Sequence, residues 1–396
     1  MIYIIFAKKF SMVFSMGSKV KSIFENLNAK TALVSIIIFS IILRVLFIWS
    51  RNLGNDEPFT LMVASGTFEN LVSIVAWDPS MLYYFTTFFV YKVLGIFGLY
   101  LMTVIGGVVS VFLVYKIAKI LFNERIALLS TFLLAISPMH ILYSQHLRVY
   151  SLTQMFVLFG ILFALQYSKS FDWKKLVLLS LSFLLAAFIY YPAIVVFLVI
   201  YGFLLWKILS NKKSVKVRFV QLFCSFAIVP AIFLLLVDKI LGQVGFVATT
   251  AYKYPLVENF FYYFYKHFSA VNIWSSIEMF PIAIILGVVL SLCFAYGVYL
   301  LLRKKKVYLL SLIFLPIFAY YLAYTKFSLM LYFKHMSATM PLIFIVAAFG
   351  LLGIQKKNTK LFYLLLGIII IASLLTTFFY YFIITNYVEW IPIIGH

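Results

Sequence analysis

The sequence predicts an all-α, polytopic membrane protein, and three observations carry that prediction. Of 396 residues, 65% are hydrophobic and 11% are charged, whereas a soluble domain carries about a quarter charged residues. The mean hydropathy is +1.10, and apolar runs of about 20 residues, the length of a spanning helix, recur along most of the chain. Lys and Arg gather in short clusters between these runs, as in Lys212, Lys213, Lys216 and Arg218, or Arg303, Lys304, Lys305 and Lys306. In a soluble protein a net charge of +21 would point to nucleic acid. Here the clustering follows the positive-inside rule, so the expected partners are membrane lipids and no nucleic acid.

Taken in chain order, hydropathy places eleven spans near 31–50, 97–119, 126–142, 150–167, 175–190, 192–209, 218–240, 279–302, 307–325, 337–354 and 361–384. Residues 80–95 are apolar but short, and they end at Gly95 and Gly98. If they do not cross and the N-terminus is inside, the inner segments hold 23 of the 32 basic residues with three acids. A crossing there would turn the strongest basic clusters outward, so 80–95 is read as an interfacial helix in the first outer loop. The organisation follows: a cytoplasmic amphipathic segment 1–30, a transmembrane module 31–210 with its first outer loop at 51–96, and a C-terminal module 211–396 with an aromatic outer loop at 241–278. The first 28 residues do not read as a signal peptide, because the apolar run 2–7 is too short. Cys224 and Cys293 both fall in apolar runs, which argues against a disulfide framework. Glycines never recur four apart, so packing through GxxxG is not expected.

Chemistry-bearing residues collect on the outer side. Four of the eleven acids, Asp56, Glu57, Glu69 and Asp78, lie in the first outer loop, where acids have little influence on topology. An acid pair at membrane-surface depth can accept a hydroxyl proton, or it can simply cap a helix. At the outer end of the third span, Ser137-Pro138-Met139-His140-Ile141-Leu142-Tyr143-Ser144-Gln145-His146-Leu147-Arg148-Val149-Tyr150 combines a helix-breaking proline with polar and basic side chains. Arg148 suits bidentate binding of a phosphate, with a snorkelling arginine as the alternative. Lys266 in the aromatic loop, and Lys334 with His335 at another outer corner, are further phosphate or substrate contacts on the same reasoning. His140 and His146 are six apart and sit in no metal-binding motif, so a divalent metal is left open without a ligand set. No Gly-rich phosphate loop and no βαβ pattern offers a home for a nucleotide.

In this order the motifs resemble the polyprenyl-phosphate-sugar-dependent glycosyltransferases of the GT-C fold, in particular the dolichyl-phosphate-mannose protein mannosyltransferase and aminoarabinose transferase group. The resemblance rests on Asn55-Asp56-Glu57-Pro58, on Trp77-Asp78-Pro79-Ser80-Met81-Leu82-Tyr83-Tyr84, and above all on 137–150; it covers roughly 31–210. It implies a GT-C-like bundle of about eleven transmembrane helices in the cell membrane, with the site on the extracytoplasmic face. A sugar, mannose being one candidate, would pass from polyprenyl phosphate to an acceptor hydroxyl on a glycan, lipid or protein, with inversion. Asp56 would be the base and Glu57 would orient it or the acceptor. Arg148, Lys334 and Lys266 would hold the donor phosphate. Asp78, Tyr83, Tyr84, His140, Tyr143, Gln145, His146, Tyr191 and His335 would line the substrate site. Two positions depart from the pattern: His146 stands where the family has a Glu, and Asp78 or Pro79 stands at a family His. The rival class is a transporter or lipid flippase, which would place ionisable groups near span centres. The only charge noted in the first span, Arg44, lies within about two turns of its outer end, and the acids are collected on one loop.

Overall fold

The computed structural model describes residues 28–46, 48–49, 53–54, 56–210, 215–250, 268–269, 281–304, 310–319 and 337–379. Among these residues the fold is helical and contains no strand. The elements are α1 (Ala29–Val45), α2 (Glu57–Ser65), α3 (Phe68–Trp77), α4 (Met81–Leu121), α5 (Glu124–Ala135), α6 (Pro138–Gln145), α7 (Tyr150–Ser170), α8 (Trp173–Ile189), α9 (Ala193–Ser210), α10 (Val215–Phe226), α11 (Ile228–Thr250), α12 (Pro281–Arg303), α13 (Leu310–Ala319), α14 (Met340–Lys357) and α15 (Thr359–Phe379). Short polar punctuation starts several of them. The side chains of Asn28, Thr67, Asn123, Ser137 and Asp172 each accept a hydrogen bond from a backbone N–H in the first turn that follows.

Among the described residues seven helical stretches are long and apolar enough to cross a membrane, one of them Val215–Gly242 running from α10 into α11, or eight if the bent pair α5–α6 is one span. Length and composition therefore do not bring the count to the expected eleven; α1 and α8, both at expected spans, have 17 residues each. The expected boundary between the helix 80–95 and the span 97–119 is present as a kink at Gly95, where the two helical segments numbered together as α4 meet. There φ is +62°, a left-handed conformation that glycine adopts at no steric cost. Between α1 and α4 lie two short helices, α2 and α3, and α2 packs against α4.

Helix α4 is the hub, contacting α1, α2, α5, α6, α7 and α8. A second unit forms around α14, which packs on α12, α5 and α15. The α12–α14 contact is made backbone to backbone: a Cβ on Gly350 would overlap the Cys293 carbonyl oxygen, and one on Gly297 would overlap that of Val346. Close packing through small residues is thus present, using one glycine per helix rather than the GxxxG spacing. Segment 1–27 and most of the aromatic loop 241–278 lie outside the described residues, as do Lys266, Lys334 and His335.

Candidate functional site

The site begins at a helix break. Pro138 has no N–H, so the Leu134 carbonyl loses its donor four residues on, and α5 and α6 meet at 61°. Exposed carbonyls are costly in a hydrocarbon setting, and here an arginine from α1 covers them. Arg44 is fully buried. Its Nη1 donates to Ala135 O at 3.1 Å and its Nη2 to Leu134 O at 3.5 Å. Nη1 also donates to Ser40 Oγ at 2.7 Å, and Nε to Ser144 Oγ at 3.1 Å. His140 Nδ1 lies 2.6 Å from Nη2; because arginine only donates, Nδ1 accepts and the His140 proton is assigned to Nε2. Gly107 of α4 makes this possible, since a Cβ there would overlap the Ser144 hydroxyl. Gln145, also fully buried, donates from Nε2 to Arg44 O at 2.8 Å and fastens the end of α1 to α6.

The second layer is the turn 146–149. Glu57 is fully buried at the start of α2. Its Oε1 accepts from Leu147 N at 2.7 Å, its Oε2 accepts from Gly54 N at 2.5 Å, and His146 Nε2 lies 3.4 Å from Oε2. Gly54 leaves room for this contact, because a Cβ would come within 2.9 Å of His146 Nε2 and 3.1 Å of Glu57 Oε2. The carboxylate therefore ties the first outer loop to the turn, and His146 stacks on Tyr150 with ring centroids 5.9 Å apart.

Arg148 is thereby aimed at the loop. Its Nη1 donates to Thr60 Oγ1 at 3.3 Å and to the Asp56 carbonyl at 3.5 Å, while its buried Nε has no hydrogen-bond partner among the described residues. Burial penalises the Arg148 charge, but Tyr84, Tyr150, Asp56 and Tyr83 around it offset that and hold its pKa above the ordinary arginine value. From the start of α4, Asp78 accepts from Ser80 N at 2.7 Å and from Tyr84 OH at 3.4 Å. Tyr83 packs edge to face on Tyr84 at 5.5 Å, and the aromatic wall continues from Tyr143 to Tyr150, Tyr190 and Tyr191. Burial, and then the nearby Asp78 charge, push the Tyr191 phenol up to about 12, so it serves as a neutral hydrogen-bonding group.

Asp56, Glu57, Asp78, Tyr83, Tyr84, Tyr143, His146, Arg148 and Tyr191 are thus brought together at one end of the bundle. Two expected substrate contacts are placed differently. His140 and Gln145 are fully buried in the Arg44 layer, because the carbonyls released by Pro138 and the end of α1 need partners there. Glu57 engages the 146–147 turn through both of its oxygens, a role the sequence does not reveal. The residues missed in sequence are Arg44, Thr60, Ser144, Gly54 and Gly107. Arg44 carried a usable signal, being the only charged residue within α1 after Lys30, and an ionisable group in a span is by default paired or functional. Its partners outside α1, however, lie 90 to 100 positions away. A resident metal does not fit the described residues: no three His, Cys, Asp or Glu side chains converge, and the Glu57 and Asp78 oxygens already accept N–H and O–H bonds.

Residues 77–237 match the family model described as dolichyl-phosphate-mannose-protein mannosyltransferase, a stretch that includes Asp78, the 137–150 motif and Tyr191 but not Asp56 or Glu57. None of the curated proteins matches the chain in sequence. The fold is similar to that of the oligosaccharyltransferase of Archaeoglobus fulgidus in complex with Zn and sulfate, at 14% identity and a TM-score of 0.51, covering 87% of this chain and 53% of that one. It is likewise similar to the same enzyme tethered by a disulfide bond to an acceptor peptide containing the NVT sequon, at 12% identity and a TM-score of 0.51, covering 92% and 55%. The chain thus spans about half the length of these structures. The likeness to this oligosaccharyltransferase is one of fold.

Proposed function

We propose that the chain is a membrane glycosyltransferase that moves a sugar, mannose being the first candidate, from polyprenyl phosphate to an acceptor hydroxyl at the extracytoplasmic face of the cell membrane. The observation that carries this reading is the docking of Arg148 on the Asp56–Thr60 segment, inside a wall of tyrosines at one end of the bundle. The acceptor oxygen attacks the anomeric carbon from the face opposite the phosphate and inverts it. Its proton passes to the Asp56 carboxylate, and the bond from carbon to phosphate oxygen breaks with its electron pair left on the phosphate. Arg148 stabilises that growing charge, and its partnerless Nε offers the leaving group a donor. Lys334 and Lys266 are assigned the same task from the sequence. The match of 77–237 to a mannosyltransferase family supports the donor class. A prenol-linked donor also keeps its tail in the bilayer, so no nucleotide-binding domain is required.

The test is transfer of labelled mannose from synthetic polyprenyl-phosphate-mannose in membranes carrying the chain. Asp56→Asn should abolish transfer while insertion and thermal stability stay those of the parent. Full activity in that variant would remove Asp56 from the chemistry. Transfer that required a nucleotide-sugar in the assay would overturn the donor assignment.

A further inference from the structure

The opposite end of the bundle carries a built cationic surface that the proposed chemistry does not use. Helix α10 folds back against the α7–α8 turn, where Arg218 lies face-on over the Phe171 ring, its guanidinium carbon 3.6 Å from the centroid. Tyr167 OH reaches Gln221 at 3.5 Å and closes the same joint. Phe171 ends α7 in a left-handed conformation, φ 54°, which turns its ring out of the helix line. Arg218 is thus held at the α7–α8 turn, where Lys169 and Lys174, both exposed, flank Phe171 in sequence. The acid of this turn, Asp172, caps α8 by accepting from Lys174 N at 3.1 Å. Arg218 Nη1 is shielded from solvent yet has no acceptor among the described residues. A guanidinium that has lost water on one nitrogen without gaining a protein acceptor stands to gain from an anion.

Two further features say which anion. Trp173, at the start of α8, and Trp206, near the end of α9, are 56% and 53% exposed at this same end, the position of an interfacial aromatic belt. The outer side of α10 presents Val217, Phe219, Val220 and Phe223, each about half exposed or more. Cations at headgroup depth above an apolar, tail-facing surface match a molecule that is anionic at one end and greasy at the other. We infer that the groove between α10 and the α7–α8 turn binds the phosphate headgroup of an anionic phospholipid, with Arg218 as the stacked central contact and Lys169 and Lys174 around it.

The experiment uses the full chain purified in detergent, exposed to equal phosphatidylglycerol and phosphatidylcholine, with retained lipids counted by native mass spectrometry. The parent should retain phosphatidylglycerol preferentially. Each cation removed from this groove should lower that preference about fivefold, so Lys174→Gln with Arg218→Gln should reduce it roughly 25-fold. Arg218→Lys, which keeps the charge and loses the planar stack, should fall between. Arg303→Gln with Lys304→Gln removes the same charge at another cluster and should leave the preference unchanged. Equal retention of the two lipids by the parent, an equal fall in the Arg303 and Lys304 control, or full displacement by millimolar inorganic phosphate would overturn the assignment. Helicity and melting temperature, measured on every variant, separate loss of the site from loss of the fold.

Discussion

Replacing Arg44 with methionine removes the guanidinium that covers the break in the third span. Six acceptors lose a donor: Ala135 O, Leu134 O, Ser40 O, Ser40 Oγ, Ser144 Oγ and His140 Nδ1. Leu134 O keeps a bond from Ser137 N at 3.3 Å, and Ser144 keeps its own bond to His140 O at 2.6 Å. Three buried acceptors, Ala135 O, His140 Nδ1 and Ser40 Oγ, therefore lose a strong donor, at about 1–3 kcal/mol each. Methionine nearly fills the volume and relieves the cost of burying a charge, which brings the expected net loss to about 2–4 kcal/mol. Titration of the purified protein with a denaturing detergent, followed by circular dichroism, should show an unfolding constant raised about 30- to 1,000-fold. Arg44→Lys should do no better, because a single ammonium cannot span these acceptors and remains a buried charge with poor partners. A methionine variant as stable as the parent would refute the argument that the guanidinium, rather than the packing of α1, holds the bend.

The adjacent acids should separate cleanly. Glu57→Gln replaces one of two carboxylate oxygens that accept from Gly54 N and Leu147 N, so it should lower both stability, by about 1–3 kcal/mol, and transfer; thermal melting beside the transfer assay reads both, and an unchanged melt would contradict the clamp. Arg148→Ala should reduce transfer about 10²–10³-fold, as loss of one charge-stabilising donor does, with the acceptor's KM little changed in steady-state kinetics; a defect confined to acceptor binding would reassign the arginine.

Much of the membrane architecture was legible because its causes are local. Hydropathy runs mark helices wherever apolar side chains must face lipid, and described helices occupy the regions of the predicted spans. The Pro138 break and the Gly95 bend follow from a missing N–H and a missing Cβ, both visible in the residue type. Asp56, Asp78, Tyr84 and Arg148, singled out in the sequence, lie near one another in the fold. What only the tertiary structure decided is the division of labour among the polar residues. Glu57 and Asp56 are neighbours in sequence, yet Glu57 is buried against Leu147 N while Asp56 presents its carbonyl to Arg148. Likewise Arg44, a lone charge near a helix end, and His140, a lone histidine, meet 96 positions apart. Periodicity reports which face a residue occupies, but the partner of a buried polar group is set by how helices distant in sequence cross, and desolvation then requires each donor to take whatever acceptor that crossing brings.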